Sequence, residues 1–154
     1  MISLDINAVV NDTIVLIAAD AAIRNDALKT ELESDLPFIQ GDRIQLQQVL
    51  LNLISNSFDA MENSQGANEI LIRTSRKDPG TIIVEVKDSG CGIPKKNIPK
   101  LFAHFFTSKP DGLGMGLSIS RSIIELHGGR LDVRNNSDRG ATFYFTIPIG
   151  TTGV

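Results

Sequence analysis

The sequence predicts a single α/β domain of the α+β type, in which a sheet of about five strands packs against three helices. Three observations predict this fold. The 154 residues suit one domain with one core, and 42% hydrophobic with 21% charged residues is typical of a soluble globular protein. Three segments carry apolar residues at helical spacing, and strand-like segments lie between them. No internal repeat or low-complexity run interrupts this order, so the whole chain, 1–154, is treated as one domain.

The first half of the chain predicts two strands, two helices and a turn that leads into the second helix. Residues 2–6 alternate like a strand, 7–24 have helical spacing, and 27–32 form a short strand. The stretch "LPFIQGD" turns the chain into a helix over 43–61, the clearest element in the sequence.

The second half predicts four strands around a long loop and a third helix. Strands over 69–76 and 81–88 are joined by "KDPG", a good hairpin turn. Residues 89–115 are loop-like, with one short helix over 98–102. A helix over 117–127 stops at Gly128 and Gly129, and strands over 130–135 and 141–148 close the sheet, which is mixed or antiparallel.

Composition excludes several classes of function. A net charge of −3 argues against nucleic acid as the main partner. The sole cysteine, Cys91, excludes an internal disulfide and fits a reducing, cytoplasmic compartment. No stretch approaches eighteen apolar residues, so no membrane insertion is expected, and the acidic N-terminal stretch is not a signal peptide. Because the chain opens directly into a strand, we expect it to be part of a longer protein.

The helix over 43–61 carries an unusual polar stripe opposite its apolar face. Residues 44–61 include no Lys, Arg or Glu, although an exposed helix would use these good helix formers. A solvated surface is one interpretation, and a half-buried ligand site is the other, which we favour. Asn52 and Asn56 are four residues apart and point to one spot, and an amide oxygen suits Mg²⁺.

The stretch "VKDSGCGIP" places an acid at the end of a strand, directly before two glycines. Asp, Ser and Gly are all turn residues, so a plain turn explains it equally well. In a functional interpretation, the Asp88 carboxylate accepts a hydrogen bond from an amino group such as that of adenine. Gly92 would then let a flat ring lie against bare backbone.

The loop that follows is basic and contains several aromatic residues. Between Asp88 and Asp111 there is no acid, but there are four lysines, of which Lys109 is the nearest to the next glycines. This excess suits a polyphosphate, and a solvated loop is the alternative. Phe102, Phe105 and Phe106 indicate a flap anchored by aromatic packing.

The stretch "DGLGMGLSIS" holds Gly112, Gly114 and Gly116 immediately before a helix. It matches neither the dinucleotide fingerprint nor the P-loop. A flexible loop fits these residues alone. However, the free N–H groups of the helix attract anions, and glycine backbone can wrap phosphates and let a lid close. Leu113, Met115 and Leu117 would fix the loop to the core.

Taken in order, these segments resemble the boxes of the ATP-binding domain of sensor histidine kinases. "NLISNSFDA" resembles the N box, "DSGCGIP" the first glycine box, "LFAHFF" the F box and "GLGMGLSIS" the second glycine box. "GATFYFTIP" resembles the closing strand of the same domain. The resemblance covers nearly the whole chain and implies a two-layer sandwich of the Bergerat type, with ATP and Mg²⁺ as ligands.

The resemblance also implies roles for individual residues. Asn56 would hold Mg²⁺, Asn52 would support the triphosphate, Asp88 would take the adenine amino group, and Thr142 would reach adenine through water. With Lys109, the two asparagines would act in phosphoryl transfer. The predicted nucleotide-binding residues are Asn52, Asn56, Asp59, Asp88, Gly90, Gly92, Ile93, Phe102, Lys109, Gly112, Leu113, Gly114, Met115, Gly116, Leu117 and Thr142. In the family, Thr and Leu are common where this chain has Leu113 and Met115, and the lid here is short.

Three functions remain open at this point. The first is a kinase that phosphorylates a histidine on a separate helical domain and thereby serves a response regulator. The second is an ATP hydrolase of the topoisomerase or mismatch-repair kind, but those enzymes carry a Glu base where this chain has Asn52. The third is a nucleotide-binding interaction module without catalysis. His104 and His127 lack a following acid, so neither is the expected phosphoacceptor.

Overall fold

The computed structural model describes residues 1–62, 66–103 and 116–150 of the chain. These residues form seven strands, three α-helices and one 3₁₀ helix. The elements are β1 Ile2–Leu4, α1 Ile6–Arg24, β2 Ala27–Leu32, β3 Ile39–Gly41, α2 Arg43–Met61, β4 Glu69–Asp78, β5 Thr81–Asp88, the 3₁₀ helix Lys95–Lys100, α3 Gly116–Leu126, β6 Arg130–Asn135 and β7 Ala141–Pro148.

The main sheet has five strands, the number that the sequence predicts, and their order is β2-β4-β5-β7-β6. Strand β2 runs parallel to β4 and the other neighbouring pairs are antiparallel, so the sheet is mixed. The helices cover one face of it, where α1 packs on β2, α2 on β5 and α3 on β6 and β7. Helix α2 lies between α1 and α3, which makes it the central element of the helical layer.

Three local expectations are wrong. The first strand stops at Leu4, because Asp5 caps α1 by accepting the Asn7 backbone N–H at 3.0 Å. The predicted turn before α2 contains β3, which pairs antiparallel with β1 in a separate two-stranded sheet. The short helix in the long loop is a 3₁₀ helix that begins at Lys95 and ends at Lys100, earlier than predicted.

Helix α2 is built as its sequence predicts. Asp42 caps it by accepting the Gln45 backbone N–H at 3.0 Å. Its apolar face is fully buried against the sheet and the other helices, through Leu46, Val49, Leu50, Leu53, Ile54, Phe58 and Met61. Since this face is fixed in the core, the opposite polar stripe has a fixed direction as well.

Helix α1 is more apolar than the sequence analysis allows. Within its 19 residues, an 18-residue window has a mean hydropathy of 1.6, so by length and composition alone it could cross a membrane. In the fold it packs on α2 and β2, and it buries Ile6, Val9, Val10, Thr13, Ile17 and Ala21. The core helix of a soluble protein can have the same properties, so this helix is only weak evidence for a membrane span.

Candidate nucleotide-binding site

The polar stripe of α2 meets the beginning of α3. Asn52, Asn56 and Asp59 are half-buried on this stripe. The Asn52 side-chain amide donates to the Ser120 hydroxyl of α3 at 2.9 Å. A Cβ atom on Gly116, the first residue of α3, would lie only 2.6 Å from the Asn52 Oδ1 atom, so any other residue here would require the Asn52 side chain to move. The structure therefore brings together the asparagine motif and the end of the glycine-rich stretch.

Asp88 lies at the end of β5 with only 2% of its surface exposed. Its Oδ1 atom accepts the backbone N–H of Gly90 at 2.9 Å and that of Ala141 at 3.1 Å. Its Oδ2 atom is buried and accepts no hydrogen bond from the described residues. A buried acceptor without a donor is costly, by about 1–3 kcal/mol. This oxygen is therefore suited to accept a hydrogen bond from a ligand.

Two opposing effects act on the charge of Asp88. Burial raises the pKa of its carboxyl above the ordinary value of 3.8, and the N–H groups of Gly90 and Ala141 offset part of that rise. The Ser57 hydroxyl has the smallest lowering effect on the pKa. Its single proton is donated to the Leu53 carbonyl oxygen at 3.1 Å, so the Asp88 Oδ2 atom receives no hydrogen bond from it. A hydrogen bond donated by a ligand would stabilise the charged form in the same way.

The loop after Asp88 packs closely on the C-terminal end of α2. The Cys91 N–H donates to the Ala60 carbonyl oxygen at 3.3 Å, and a Cβ atom on Gly90 would lie 2.6 Å from that same oxygen. Gly92 has a backbone φ of +77°, which residues other than glycine rarely adopt. Both glycines are thus required by the backbone, and they place Asp88 beside the end of the polar stripe.

The described part of the flap lies against the same helices. Ile93, Phe102 and Leu117 are partly buried and pack against the core. The guanidinium of Arg121 on α3 lies 5.7 Å from the centroid of the Phe102 ring. Lys109, Gly112, Leu113, Gly114 and Met115, together with His104, Phe105 and Phe106, lie outside the described residues. Their assignments stay predictions.

The structure does not bring Thr142 together with Asp88. Thr142 pairs with Lys87 on β5, one residue before Asp88, so the two side chains point to opposite faces of the sheet. The Thr142 hydroxyl donates to the Asn136 Oδ1 atom at 2.6 Å, and it lines a cavity of about 320 Å³ on the outer face with Lys87 and Arg134. The β7 residue that contacts the Asp88 carboxylate is Ala141, through its backbone.

Sequence reasoning missed a set of side chains in the β6–β7 hairpin. Asn135, Asn136 and Arg139 all bond to the backbone of the loop that contains Asp88. The only signal was the polar run "NNSDRG" before the closing strand, which turn propensity explains equally well.

Among the described residues, no group of three or more His, Cys, Asp or Glu side chains could hold a metal ion. Mg²⁺ that binds together with a nucleotide does not require such a group, because it keeps several waters and takes phosphate oxygens with only one or two protein ligands. The Asn56 amide oxygen on the polar stripe is a suitable protein ligand of that kind.

Comparison with known proteins shows which family and which relatives this chain is similar to. The family model for histidine kinase-, DNA gyrase B- and HSP90-like ATPases matches residues 41–151. Sensor protein FixL of Bradyrhizobium diazoefficiens is 46% identical over 130 residues, which are 84% of this chain and 26% of that protein. The chain thus spans about a quarter of the length of this relative.

Solved structures of similar chains lead to the same family. The nucleotide-free catalytic domain of histidine kinase ThkA has a TM-score of 0.83 at 32% identity, with 96% of this chain and 95% of that chain covered. Full-length ShkA in complex with AMPPNP has a TM-score of 0.85 at 27% identity, with 99% of this chain and 32% of that chain covered. ThkA has also been solved in complex with the response regulator protein TrrA.

Proposed function

Because the chain belongs to the histidine kinase-, DNA gyrase B- and HSP90-like ATPase family, as the catalytic ATP-binding domain of a sensor histidine kinase, we propose that it donates the γ-phosphoryl group of MgATP to a histidine on a separate helical domain. This reaction would be the first step of two-component signal transduction.

The observation that carries the proposal is the buried Oδ2 atom of Asp88. A carboxylate oxygen only accepts hydrogen bonds, and this one has no donor among the described residues. The amino group of adenine would supply the donor. Guanine presents a carbonyl oxygen at the corresponding ring position, which a carboxylate oxygen would repel. The site therefore supports selection of ATP over GTP.

The phosphate end of the site is supported by α2 and α3. Asn56 would hold Mg²⁺, which when bound neutralises negative charge on the β- and γ-phosphates. Asn52 lies against Gly116, the first residue of α3, and the positive dipole end of this helix favours anions. In this proposal Lys109 and the glycines at 112 and 114 complete the phosphate contacts.

Transfer to a protein is favoured over hydrolysis. A hydrolase of this family would need a carboxylate base at the position of Asn52, and an amide cannot take a proton from water at neutral pH. The amide nitrogen of Asn52 is already engaged with Ser120. A nucleotide-binding module without catalysis is the remaining alternative, and measured phosphoryl transfer separates it from the kinase.

The acceptor histidine would belong to a helical dimerisation domain of the same protein, and a response regulator would receive the phosphoryl group from that histidine. His127 is unsuited to the role, because both of its ring nitrogens are engaged. Its Nε2 atom accepts the Asp42 backbone N–H at 3.0 Å, and its Nδ1 atom lies 2.8 Å from the Ile123 carbonyl oxygen, to which it donates. We place this domain in the cytoplasm, where ATP is available, with no nucleic-acid partner.

The experiment that tests this function is transfer of a labelled γ-phosphoryl group from ATP to the helical domain supplied in trans. Label on the histidine of that domain would support the kinase, and its absence under conditions of full ATP binding would leave the binding module as the function.

A further inference from the structure

We propose that the β6–β7 hairpin is a specificity element of this site, in which Asn135, Asn136 and Arg139 position the Asp88 carboxylate for adenine. These three residues are called the clamp below, and residues 88–93 are called the adenine loop. The inference rests on the proposed function, because it assigns base recognition to Asp88. None of the three clamp side chains needs to touch the nucleotide, so they are positioning residues.

The adenine loop requires an external support. Gly90 and Gly92 lie within it, and glycine loses more conformational freedom on ordering than any other residue. Its Gly90 N–H donates to the Asp88 side chain, and its Cys91 N–H donates to the Ala60 carbonyl oxygen of α2. The far side of the loop must be held by another element, and the hairpin is that element.

Asn135 holds the end of the adenine loop with two hydrogen bonds to one residue. Its Oδ1 atom accepts the Ile93 N–H at 2.8 Å, and its Nδ2 atom donates to the Ile93 carbonyl oxygen at 2.9 Å. This side chain thus satisfies both backbone groups of Ile93, as a neighbouring strand would. The Oδ1 atom also lies 3.0 Å from where a Cβ atom of Gly92 would be, so the glycine allows the close approach.

Asn136 holds the beginning of the adenine loop. Its Nδ2 atom donates to the carbonyl oxygen of Asp88 itself at 3.0 Å, and also to that of Arg139 at 3.0 Å. Its Oδ1 atom accepts the hydroxyl of Thr142 at 2.6 Å, which fixes the orientation of the amide. Thr142 therefore acts on Asp88 indirectly, from the opposite face of the sheet.

Arg139 holds the residue that follows Asp88. Its Nε atom donates to the Ser89 carbonyl oxygen, and its guanidinium also donates to the Asn68 Oδ1 atom at 3.2 Å. Next to it, Gly140 has a φ of +84°, and a Cβ atom there would lie 2.1 Å from the Asp88 carbonyl oxygen. The hairpin and the adenine loop are in contact along their backbones at this point.

These contacts determine which carboxylate oxygen meets the ligand. With the Asp88 backbone held by Asn136 and its Oδ1 atom held by Gly90 and Ala141, the Oδ2 atom is the one left for a donor. A positioned acceptor discriminates between bases because a small displacement weakens a directional hydrogen bond. The clamp should therefore change selectivity for the amino group rather than affinity for the phosphates.

The test compares Asn135→Asp with Ser137→Asp in the whole chain. In the first variant, an oxygen replaces the amide nitrogen that donates to the Ile93 carbonyl oxygen. The second adds the same charge at an exposed position of the same hairpin that makes no side-chain hydrogen bond to the described residues. The readouts are the Kd for MgATP, the Kd for purine riboside triphosphate, which lacks the amino group, and the free energy of unfolding in urea.

We expect the wild type and Ser137→Asp to prefer MgATP about tenfold or more, and Asn135→Asp to lose about fivefold of that preference. Affinity for the nucleotide without the amino group should stay unchanged. If Asn135 had only a structural role, Asn135→Asp would lower the free energy of unfolding but leave the ratio of the two Kd values unchanged. An unchanged ratio in Asn135→Asp, with a selective wild type, would overturn the clamp and leave the proposed function standing. A wild type without any preference would overturn both the clamp and the assignment of base recognition to Asp88.

A second pair of variants covers the case in which Asn135→Asp does not fold. Thr142→Val removes the hydroxyl that orients Asn136, and Thr142→Ser keeps it. We expect the valine variant to lose part of the preference for MgATP and the serine variant to retain it. If the ratio of the two Kd values were equal in both variants and the wild type, the result would contradict the clamp.

Discussion

In the proposed site Asp88 meets two opposing requirements, since its carboxylate would have to be charged to recognise an amino group and buried to exclude water. Burial raises its pKa, and two backbone N–H groups on Oδ1 offset part of that effect. In the proposed function, the adenine amino group would supply the interaction that the Oδ2 atom lacks. Stability of the free domain and affinity for the nucleotide would then be coupled through one side chain.

The first prediction concerns the pH dependence of stability. Because the pKa of Asp88 is raised above 3.8 in the folded state, the folded state binds this proton more tightly than the unfolded state. Its contribution to stability is fully present below pH 3.8 and is lost as the pH rises through the raised pKa. The free energy of unfolding of Asp88→Asn should therefore rise relative to that of the wild type as the pH is increased over this range.

Urea denaturation of the nucleotide-free domain at several pH values measures this difference. Asp78→Asn, at the exposed end of β4, is the matched control for removing one carboxylate. A constant difference between Asp88→Asn and the wild type across the range would contradict the raised pKa.

The second prediction concerns base selectivity. A charge-assisted hydrogen bond contributes about 1.5–3 kcal/mol, or about ten- to hundredfold in affinity. The wild type should therefore prefer ATP over GTP, and Asp88→Asn should lose much of this preference. Competition against a fluorescent ATP analogue gives both affinities, and equal affinity of the wild type for the two nucleotides would remove Asp88 from base recognition.

The third prediction concerns Mg²⁺ at Asn56. Asn56→Ala should abolish Mg²⁺-dependent nucleotide binding but keep the fold, because alanine is the better helix former at a helical position. Gln48→Ala, an exposed position of the same helix, is the control and should behave like the wild type. Titration of both variants with a fluorescent ATP analogue, with and without Mg²⁺, provides the comparison. Retained Mg²⁺ dependence in Asn56→Ala would exclude the assignment.

Some of these residues could be predicted from the sequence and others could not. Asn52, Gly90 and Asp88 stand out because each residue type has a distinct chemistry. Asn52 supplies an amide, Gly90 a backbone without a side chain, and Asp88 a hydrogen-bond acceptor. Thr142 illustrates the limit, since one position along a strand reverses the face on which a side chain lies. The roles of Asn135 and Asn136 depend on contacts with residues about 42 to 48 positions away, which no local pattern contains.

At the scale of elements, α3 is joined to α2 near both of its own ends, which fixes the two helices that carry the proposed site. Near the site, Asn52 bonds to Ser120. At the other end, the His127 ring after α3 accepts the Asp42 N–H at the N-cap of α2. The sequence predicts α2 because its apolar residues recur at helical spacing. It does not predict strand β3, because three residues form a strand only through their pairing with β1.

The fourth prediction tests this connection. His127→Ala removes the acceptor for the Asp42 N–H and leaves that donor part-buried and unpaired, which should lower the free energy of unfolding by about 1–3 kcal/mol. Leu126→Ala, at a side chain that is 69% exposed, should change it by less than about 0.5 kcal/mol. Urea denaturation of both variants measures the difference, and equal effects would contradict the structural role of His127.

At the scale of the whole molecule, the domain holds a nucleotide site but offers neither a hydrolytic base at Asn52 nor a free histidine at 127. Phosphoryl transfer depends mostly on positioning and on stabilisation of charge, so an acceptor can be contributed by another domain. The chain spans about a quarter of FixL, which leaves room in such a protein for that acceptor. We therefore predict that the isolated chain binds MgATP but neither hydrolyses it rapidly nor labels itself.

The most direct test is incubation of the chain with ATP labelled at the γ-phosphate, first alone and then with the helical acceptor domain of the parent protein. A variant of that domain with its histidine changed to alanine is the control. We predict no acid-labile label and only slow phosphate release from the chain alone, and acid-labile label on the acceptor domain that disappears in the alanine variant. Acid-labile label on the isolated chain, or rapid phosphate release without a partner, would contradict the assignment as a histidine kinase catalytic domain.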